Sequence, residues 1–321
     1  MIIYRFPQLA NAILTIAVLG CSLGGVFADE AMGIKELRTW RSAAGSAIEA
    51  RFISITPAGE VTLETKDRTI ELPLSKLSEA DQKLIKNRPI EPLRVLMVGQ
   101  SNSRYGGEVL RDLLTKSPHS KSVVEVMSLQ KNKPIHESPS LLEHLKTKNW
   151  DVVIVSIDSY EIISKPIRDA LPETLGSIRK AAGSAKLYWL GCHAFDARAG
   201  SRELPGATDE YGGIVKAYDK INQRAAKLLG QENYIDTNAG IARLAKEGDN
   251  MWKNAYLPGG VHLDAYGRWV YAAMIYAEVF GGDPVALADQ MKIKESNHFR
   301  PAADKKADLR TIAKIAKELG K

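Results

Sequence analysis

The sequence predicts an α/β fold: a three-layer αβα domain around a central parallel sheet, preceded by a small all-β barrel. Two patterns carry this. From Leu93 onward, the apolar runs "LRVLMVG", "SVVEVMSL", "DVVIVSI", "KLYWLGC" and "NYIDT" alternate with the amphipathic stretches "GGEVLRDLLTK", "PSLLEHLK", "DEYGGIVKAYDKINQRAAKLL" and "AYGRWVYAAMIYAEVF". Strands rich in Val, Ile and Leu, separated by helices, belong to a parallel sheet covered on both faces. Residues 36–86 instead hold short alternating runs, "IEARFISI", "EVTLET" and "TIELPL", divided by Gly, Pro and Asp at hairpin spacing.

Four segments follow from these patterns. Residues 1–28 read as a signal peptide: Arg5 precedes the apolar stretch "ANAILTIAVLGCSLGGVFA", and Val26 and Ala28 supply the small residues of a cleavage site before Asp29. The apolar run is shorter than the roughly 20 residues a membrane span needs. Export to the periplasm or the medium is therefore expected. Lipid anchoring through Cys21 in "VLGC" is the alternative, and Leu19 fits that pattern poorly. Residues 36–86 form the β unit, closed by "SEADQKLI", a helical turn capped by Ser78. "KNRPIEP" is the linker. Residues 93–285 form the αβα domain, and residues 286–321 a basic tail. In that tail Leu309, Ile312, Ile315, Ala316 and Leu319 share a helical face with lysines opposite. This face suits docking on the main domain or, as a second reading, contact with a membrane surface.

Composition narrows the function classes. The chain has 321 residues, 26% of them charged and 45% hydrophobic, with a net charge of +6 that falls by one when the leader leaves with Arg5. Lys and Arg are spread along it, so no nucleic-acid patch is indicated. An acidic polysaccharide or a membrane surface is a compatible partner. Of two cysteines only Cys192 lies outside the leader, which rules out an intramolecular disulfide in a cleaved chain.

Two stretches carry candidate chemistry. "VLMVGQSNS" ends a strand on Gly99 and opens a helix, a turn that exposes the Ser101 hydroxyl and aims backbone N–H groups at a developing oxyanion. "LPGGVHLDAYG", far away in sequence, supplies His262, a base if it reaches that hydroxyl. Each alone reads as a helix cap or a structural histidine. Further along, His193 in "GCHAFD" could touch substrate, or a metal together with Asp196, but one His and one Asp are too few for a metal site. No metal or organic cofactor is implied. Cys192 reads as a buried small hydrophobe, His136 and His144 as surface residues, and "NMWKNAY" as an aromatic substrate wall or as lid packing.

In this order the two stretches resemble the SGNH or GDSL-type hydrolase superfamily of esterases and lipases. "VLMVGQSNS" is similar to its nucleophile block, and "GGVHLDAYGRWVYAAMIYAEVFGGDP" to its closing block. The resemblance implies Ser101 as nucleophile and His262 as base, acting on an ester, with an acetylated carbohydrate as the substrate class. It also shows departures. The family's Asp, three residues before the histidine, falls on Gly259. Its third-block Asn falls on Asp158 in "VSIDSYE", and "MSLQKNKPIHE" lacks the second-block glycine. An ionised Asp158 repels an oxyanion. Asn102, Ser103 and Ser156 are the substitute donors, while Asp264, Asp249 or a backbone carbonyl is left to orient His262.

Residues 36–86 resemble the Sla homology domain, a small β-barrel of endocytic adaptors, through "RTW", Gly45, "IEARFISI", "VTL" and "LPLSKLSEADQ". In the adaptors that domain binds Asn-Pro-Phe peptides. Since an exported chain does not meet cytosolic partners, the resemblance implies the fold and a peptide, protein or glycan ligand, or a spacer with no ligand. A second function therefore stands beside esterase: a hydrolase fold without catalysis, serving with the barrel as a binding module, as Gly259 and Asp158 suggest.

Overall fold

The computed structural model describes residues 36–55, 59–88, 90–128, 139–157, 165–194, 212–229, 233–258, 260 and 262–320. The leader with Cys21, and also His136, Asp158, Asp196 and Gly259, lie outside the described residues. The chain divides into two compact units, with the boundary at Pro89 and Ile90.

The first unit is a four-stranded sheet in sequential order: β1 (Arg38–Arg41), β2 (Ala47–Ile55), β3 (Glu60–Glu64) and β4 (Thr69–Pro73). β1 and β2 pair antiparallel, Arg38 opposite Ala50, across a turn that Gly45 makes at φ +88°. Alternation places Trp40, Ala50, Phe52, Val61 and Leu63 inside. The Trp40 indole donates to Ala50 O at 2.9 Å. An antiparallel bridge between Ser42 and Leu77 joins the end of the first strand to the segment after the last. Helix α1 (Glu79–Lys86) is capped by Ser78, and its buried Asp81 accepts from Arg41 N at 2.8 Å, from Ser78 Oγ at 2.9 Å and from Arg38 Nη2 at 3.2 Å. Those bonds satisfy a carboxylate that burial alone would destabilise.

The second unit is the αβα domain. Its sheet comprises β5 (Arg94–Gly99), β6 (Val123–Ser128), β7 (Val152–Val155), β8 (Lys186–Leu190) and β9 (Tyr234–Ile235), ordered β6-β5-β7-β8-β9 with every neighbour parallel. Strand β5 shows why the run "RVLMVG" is apolar throughout. Val95 and Met97 enter one core and Leu96 and Val98 the other. The first core is covered by α2 (Ser101–Thr115), α6 (Thr237–Glu247), α7 (Asp249–Lys253), α8 (Ala265–Phe280) and α9 (Lys305–Leu319). The second is covered by α3 (Pro139–Thr147), α4 (Lys165–Ala182) and α5 (Gly212–Leu229). Two layers of helices on a parallel sheet are the expected architecture.

Apart from Arg268 and Glu278, helix α8 is apolar around its circumference, because other helices pack around it. Gly106 of α2 lies where a Cβ would come within 3.2 Å of Tyr271, and Gly240 of α6 where one would meet Met274 Sδ at 2.5 Å. The C-terminal α9 docks here too. Leu309, Ile312, Ala313, Ile315 and Ala316 are buried in the first core, and Trp269 Nε1 donates to Leu309 O at 3.0 Å. This corrects the membrane-surface reading of the tail: its apolar face is occupied by α8, so no such face is left to lie on lipid.

Candidate functional site

Strand order places the site. After β5 the chain steps to β6 on one side and later returns to β7 on the other, so a crevice opens beyond the carboxyl ends of β5 and β7, where ligands of such sheets bind. Gly99 ends β5 and Gln100 caps α2 through its backbone without a side-chain bond. Ser101 is the first residue of this 15-residue helix and is partly exposed. The positive end of the helix dipole therefore lies at the Ser101 backbone. A Cβ on Gly99 would sit 2.0 Å from Ser103 Oγ and 3.2 Å from Ser156 O, so the glycine is what lets the first turn of α2 close over the strand end. Ser156 follows β7 and donates its N–H to Val98 O at 2.8 Å.

The loop of His262 is brought to the same place. Asn102, buried, accepts from Leu263 N through Oδ1 at 3.1 Å, although 161 residues separate the two. The loop is a tight hairpin: Leu257 N donates to His262 O at 2.9 Å, Tyr256 bridges Leu263, and Gly260 turns at φ +67°. The His262 side chain is exposed. Gly267 fits α8 against this loop, since a Cβ there would meet Ala255 O at 2.4 Å.

Asp264 caps α8. Its Oδ1 accepts from Ala265 N at 2.8 Å and from Ser296 N at 3.3 Å, and its Oδ2 from Ser296 Oγ at 2.5 Å. The carboxylate is 1% exposed and points at the helix end and the segment after α8. Both oxygens are thus committed to structure.

His193 is fully buried between the rings of Tyr256 and Tyr271. Tyr271 Oη donates to Gly191 O at 3.1 Å, which leaves the phenol oxygen to accept from His193 Nδ1 at 2.8 Å. The surrounding "GCHA" segment is held by groups the sequence reading did not single out. Asn222 Oδ1 accepts from Cys192 N at 2.9 Å and from Trp189 Nε1 at 3.1 Å, and its Nδ2 donates to Cys192 O at 2.8 Å. Asn238 Oδ1 accepts from Ala194 N at 2.8 Å, and Asn238 Nδ2 donates to Asp219 Oδ1 at 2.6 Å. Burial pushes the Asp219 carboxyl above its usual range, partly offset by the Asn238 bond. A signal for Asn222 existed: it stands at helical spacing with the apolar Tyr218, Ala225 and Leu229 of α5, a polar residue on a core face.

Three further readings find their places. Cys192 is buried, its thiol donating to Ile157 O at 2.8 Å. Trp252 and Tyr256 are also buried in the first core, packed edge to face, with Tyr256 Oη donating to Ala194 O at 2.7 Å, so these rings of "NMWKNAY" are packed inside rather than exposed as an open aromatic wall. His144 lies on α3 with Nε2 2.8 Å from Glu125 Oε1 of β6. Among the described residues no three His, Cys, Asp or Glu side chains are grouped to hold a metal ion.

The fold is thus a three-layer αβα domain with a switch point between β5 and β7. Its fold is similar to that of a DUF4886 family protein from Bacteroides uniformis ATCC 8492, at 15% identity and a TM-score of 0.55, over 71% of this chain and 94% of that one. A putative SGNH hydrolase from Slackia heliotrinireducens aligns at 21% identity and a TM-score of 0.43, over 57% and 96% of the two chains. An acetyl xylan esterase aligns at 18% identity and a TM-score of 0.41, over 58% and 99%. At these identities the likeness is one of fold. No protein-family model matches the sequence, and neither does any curated protein.

Proposed function

We propose that the protein is an exported serine ester hydrolase that removes acetyl groups from carbohydrate through Ser101 and His262. The observation that carries this reading is the bond between Asn102 and Leu263, which ties the loop of His262 to the first turn of the helix that Ser101 opens. In the proposed reaction His262 takes the Ser101 proton as Oγ attacks the acetyl carbonyl. The oxyanion is met by backbone N–H groups at the start of α2. As the intermediate collapses, the bond from the acyl carbon to the sugar oxygen breaks, that oxygen takes the proton from His262 to become the free sugar hydroxyl, and acetyl-Ser101 remains. A water activated by His262 then releases acetate and regenerates the serine. In this reading Asn102 and Ser156, beside the end of β5, are the candidates for contact with the oxyanion or substrate.

One observation favours the alternative, a hydrolase fold kept for binding: the Asp264 carboxylate is committed to capping α8. Loss of the orienting acid costs about ten-thousandfold in turnover in other triads. In this second reading the small β unit, taken as a module of the Sla homology type with a peptide, protein or glycan ligand, would carry the function.

Hydrolysis of acetylated xylo-oligomers by the protein separates the two. The esterase reading expects turnover that falls at least about a thousandfold in Ser101→Ala and in His262→Ala. Turnover equal in all three proteins, or absent from the wild type on every acetyl ester tried, contradicts it.

A further inference from the structure

Beside the crevice stands an arginine in a place that local physics disfavours. Arg268 lies in the first turn of α8, where the helix dipole is unfavourable to a cation. Its Nε donates to Leu263 O at 2.8 Å, and its guanidinium carbon stands 4.3 Å from the centre of the Tyr105 ring. Among the described residues no carboxylate pairs with it. A guanidinium fixed at Nε and stacked on a ring is pre-organised, and its two terminal nitrogens form the fork that matches a carboxylate.

The position of this fork relative to the proposed nucleophile follows from two joints. Leu263, next to His262, gives its N–H to Asn102 and its carbonyl to Arg268. Tyr105 lies one helical turn after Ser101 on the same face of α2, and side chains on a helix lean back toward its N-terminus. The carboxylate nearest in sequence, that of the buried Asp264 that caps α8, is bonded to Ala265 N and Ser296 rather than to this arginine. Two helices begin here with no acidic residue in either first turn, and a second arginine, Arg104, lies 5.0 Å from the Tyr105 ring centre with Glu108 3.8 Å away.

We infer that Arg268, held by Leu263 O and Tyr105, recognises a carboxylate on the substrate, which makes the substrate an acetyl ester carried on a uronate-bearing, acidic glycan. The inference rests on the esterase reading for the acetyl group and on Arg268 alone for the acid.

The test compares acetylated oligogalacturonate with acetylated xylo-oligomer, kcat and KM measured separately, for the wild type, Arg268→Gln and Arg268→Lys, with thermal melts to confirm folding. Arg268→Gln should raise KM for the uronate ester at least about tenfold more than for the neutral one, as loss of a charged hydrogen bond predicts. Arg268→Lys should recover part of the difference. Equal changes on both substrates overturn the inference. In parallel, Ser101→Ala protein is titrated calorimetrically with de-acetylated oligogalacturonate. Binding that disappears in Ser101→Ala/Arg268→Gln supports carboxylate recognition even if no ester is hydrolysed, an outcome that would sink the esterase reading alone. Absent binding, or binding indifferent to residue 268, overturns the inference even if esters are hydrolysed.

Discussion

Asn102 Oδ1 and Leu263 N, 161 residues apart in sequence, are 3.1 Å apart in space. That bond joins the turn of Ser101 to the loop of His262, and both partners are buried. Asn102→Ala leaves a buried amide without its acceptor, which costs about 1–3 kcal/mol. A corresponding drop in denaturation midpoint is expected, with kcat falling by a larger factor than KM rises because the released loop carries the base. A variant as stable as the wild type would show that the bond is not formed.

The close fit at Gly99 predicts a steric effect with a specific cure. Gly99→Ala drives a methyl to within 2.0 Å of Ser103 Oγ and 2.6 Å of Ser103 Cβ, and overpacking of this kind costs about 1–3 kcal/mol. Because those nearest atoms belong to one side chain, Ser103→Gly in the same protein should restore part of the loss. Urea denaturation of the two single variants and the double variant reads this coupling.

Asp219 sets a pH dependence whose sign follows from its burial. Its folded pKa is raised, so between the unfolded and folded values the native state holds more protons, and stability falls as pH rises through that window. Asp219→Asn keeps an oxygen to accept from Asn238 and removes the charge. Its melting temperature should exceed that of the wild type at pH 7 and converge with it near pH 3, below both values. An advantage that grows on acidification would contradict the assignment.

The docked tail predicts a large core effect. Ile312 of α9 is fully buried, and Ile312→Ala should cost about 2–5 kcal/mol. Lys314→Glu, on the exposed side of the same helix, should change stability by less than about 0.5 kcal/mol. Chemical denaturation of both variants checks the contrast, and similar small effects would mean that α9 is not part of the core.

Much of this fold is readable from local pattern. Strands β5, β7 and β8 coincide with continuous apolar runs because both faces of each are buried, whereas the edge strand β6 is buried only at Val124, and the turn after β5 announces itself by the glycine that ends the run. Helix α4 is harder to read, since Pro166 and Pro172 lie within it and hide its period. The docking of α9 is visible only as an amphipathic face, and what covers such a face depends on residues far away. The site is legible to the same depth. Ser101 and His262 stand in recognisable stretches, but the commitment of Asp264 depends on Ser296, and the stacking of Arg268 on Tyr105 joins helices far apart in sequence, α2 ending at Thr115 and α8 beginning at Ala265. No local window contains such pairs.

The central claim is that Ser101 is an activated nucleophile, and covalent trapping addresses it most directly. The full chain is treated with a fluorophosphonate, which phosphonylates serines that a neighbouring base deprotonates, and the adduct is mapped by peptide mass spectrometry. The account predicts one equivalent of label on the peptide containing Ser101, slowed at least about a hundredfold in His262→Ala. Wild-type protein that stays unlabelled, or label spread over other serines at the same rate in His262→Ala, would contradict it.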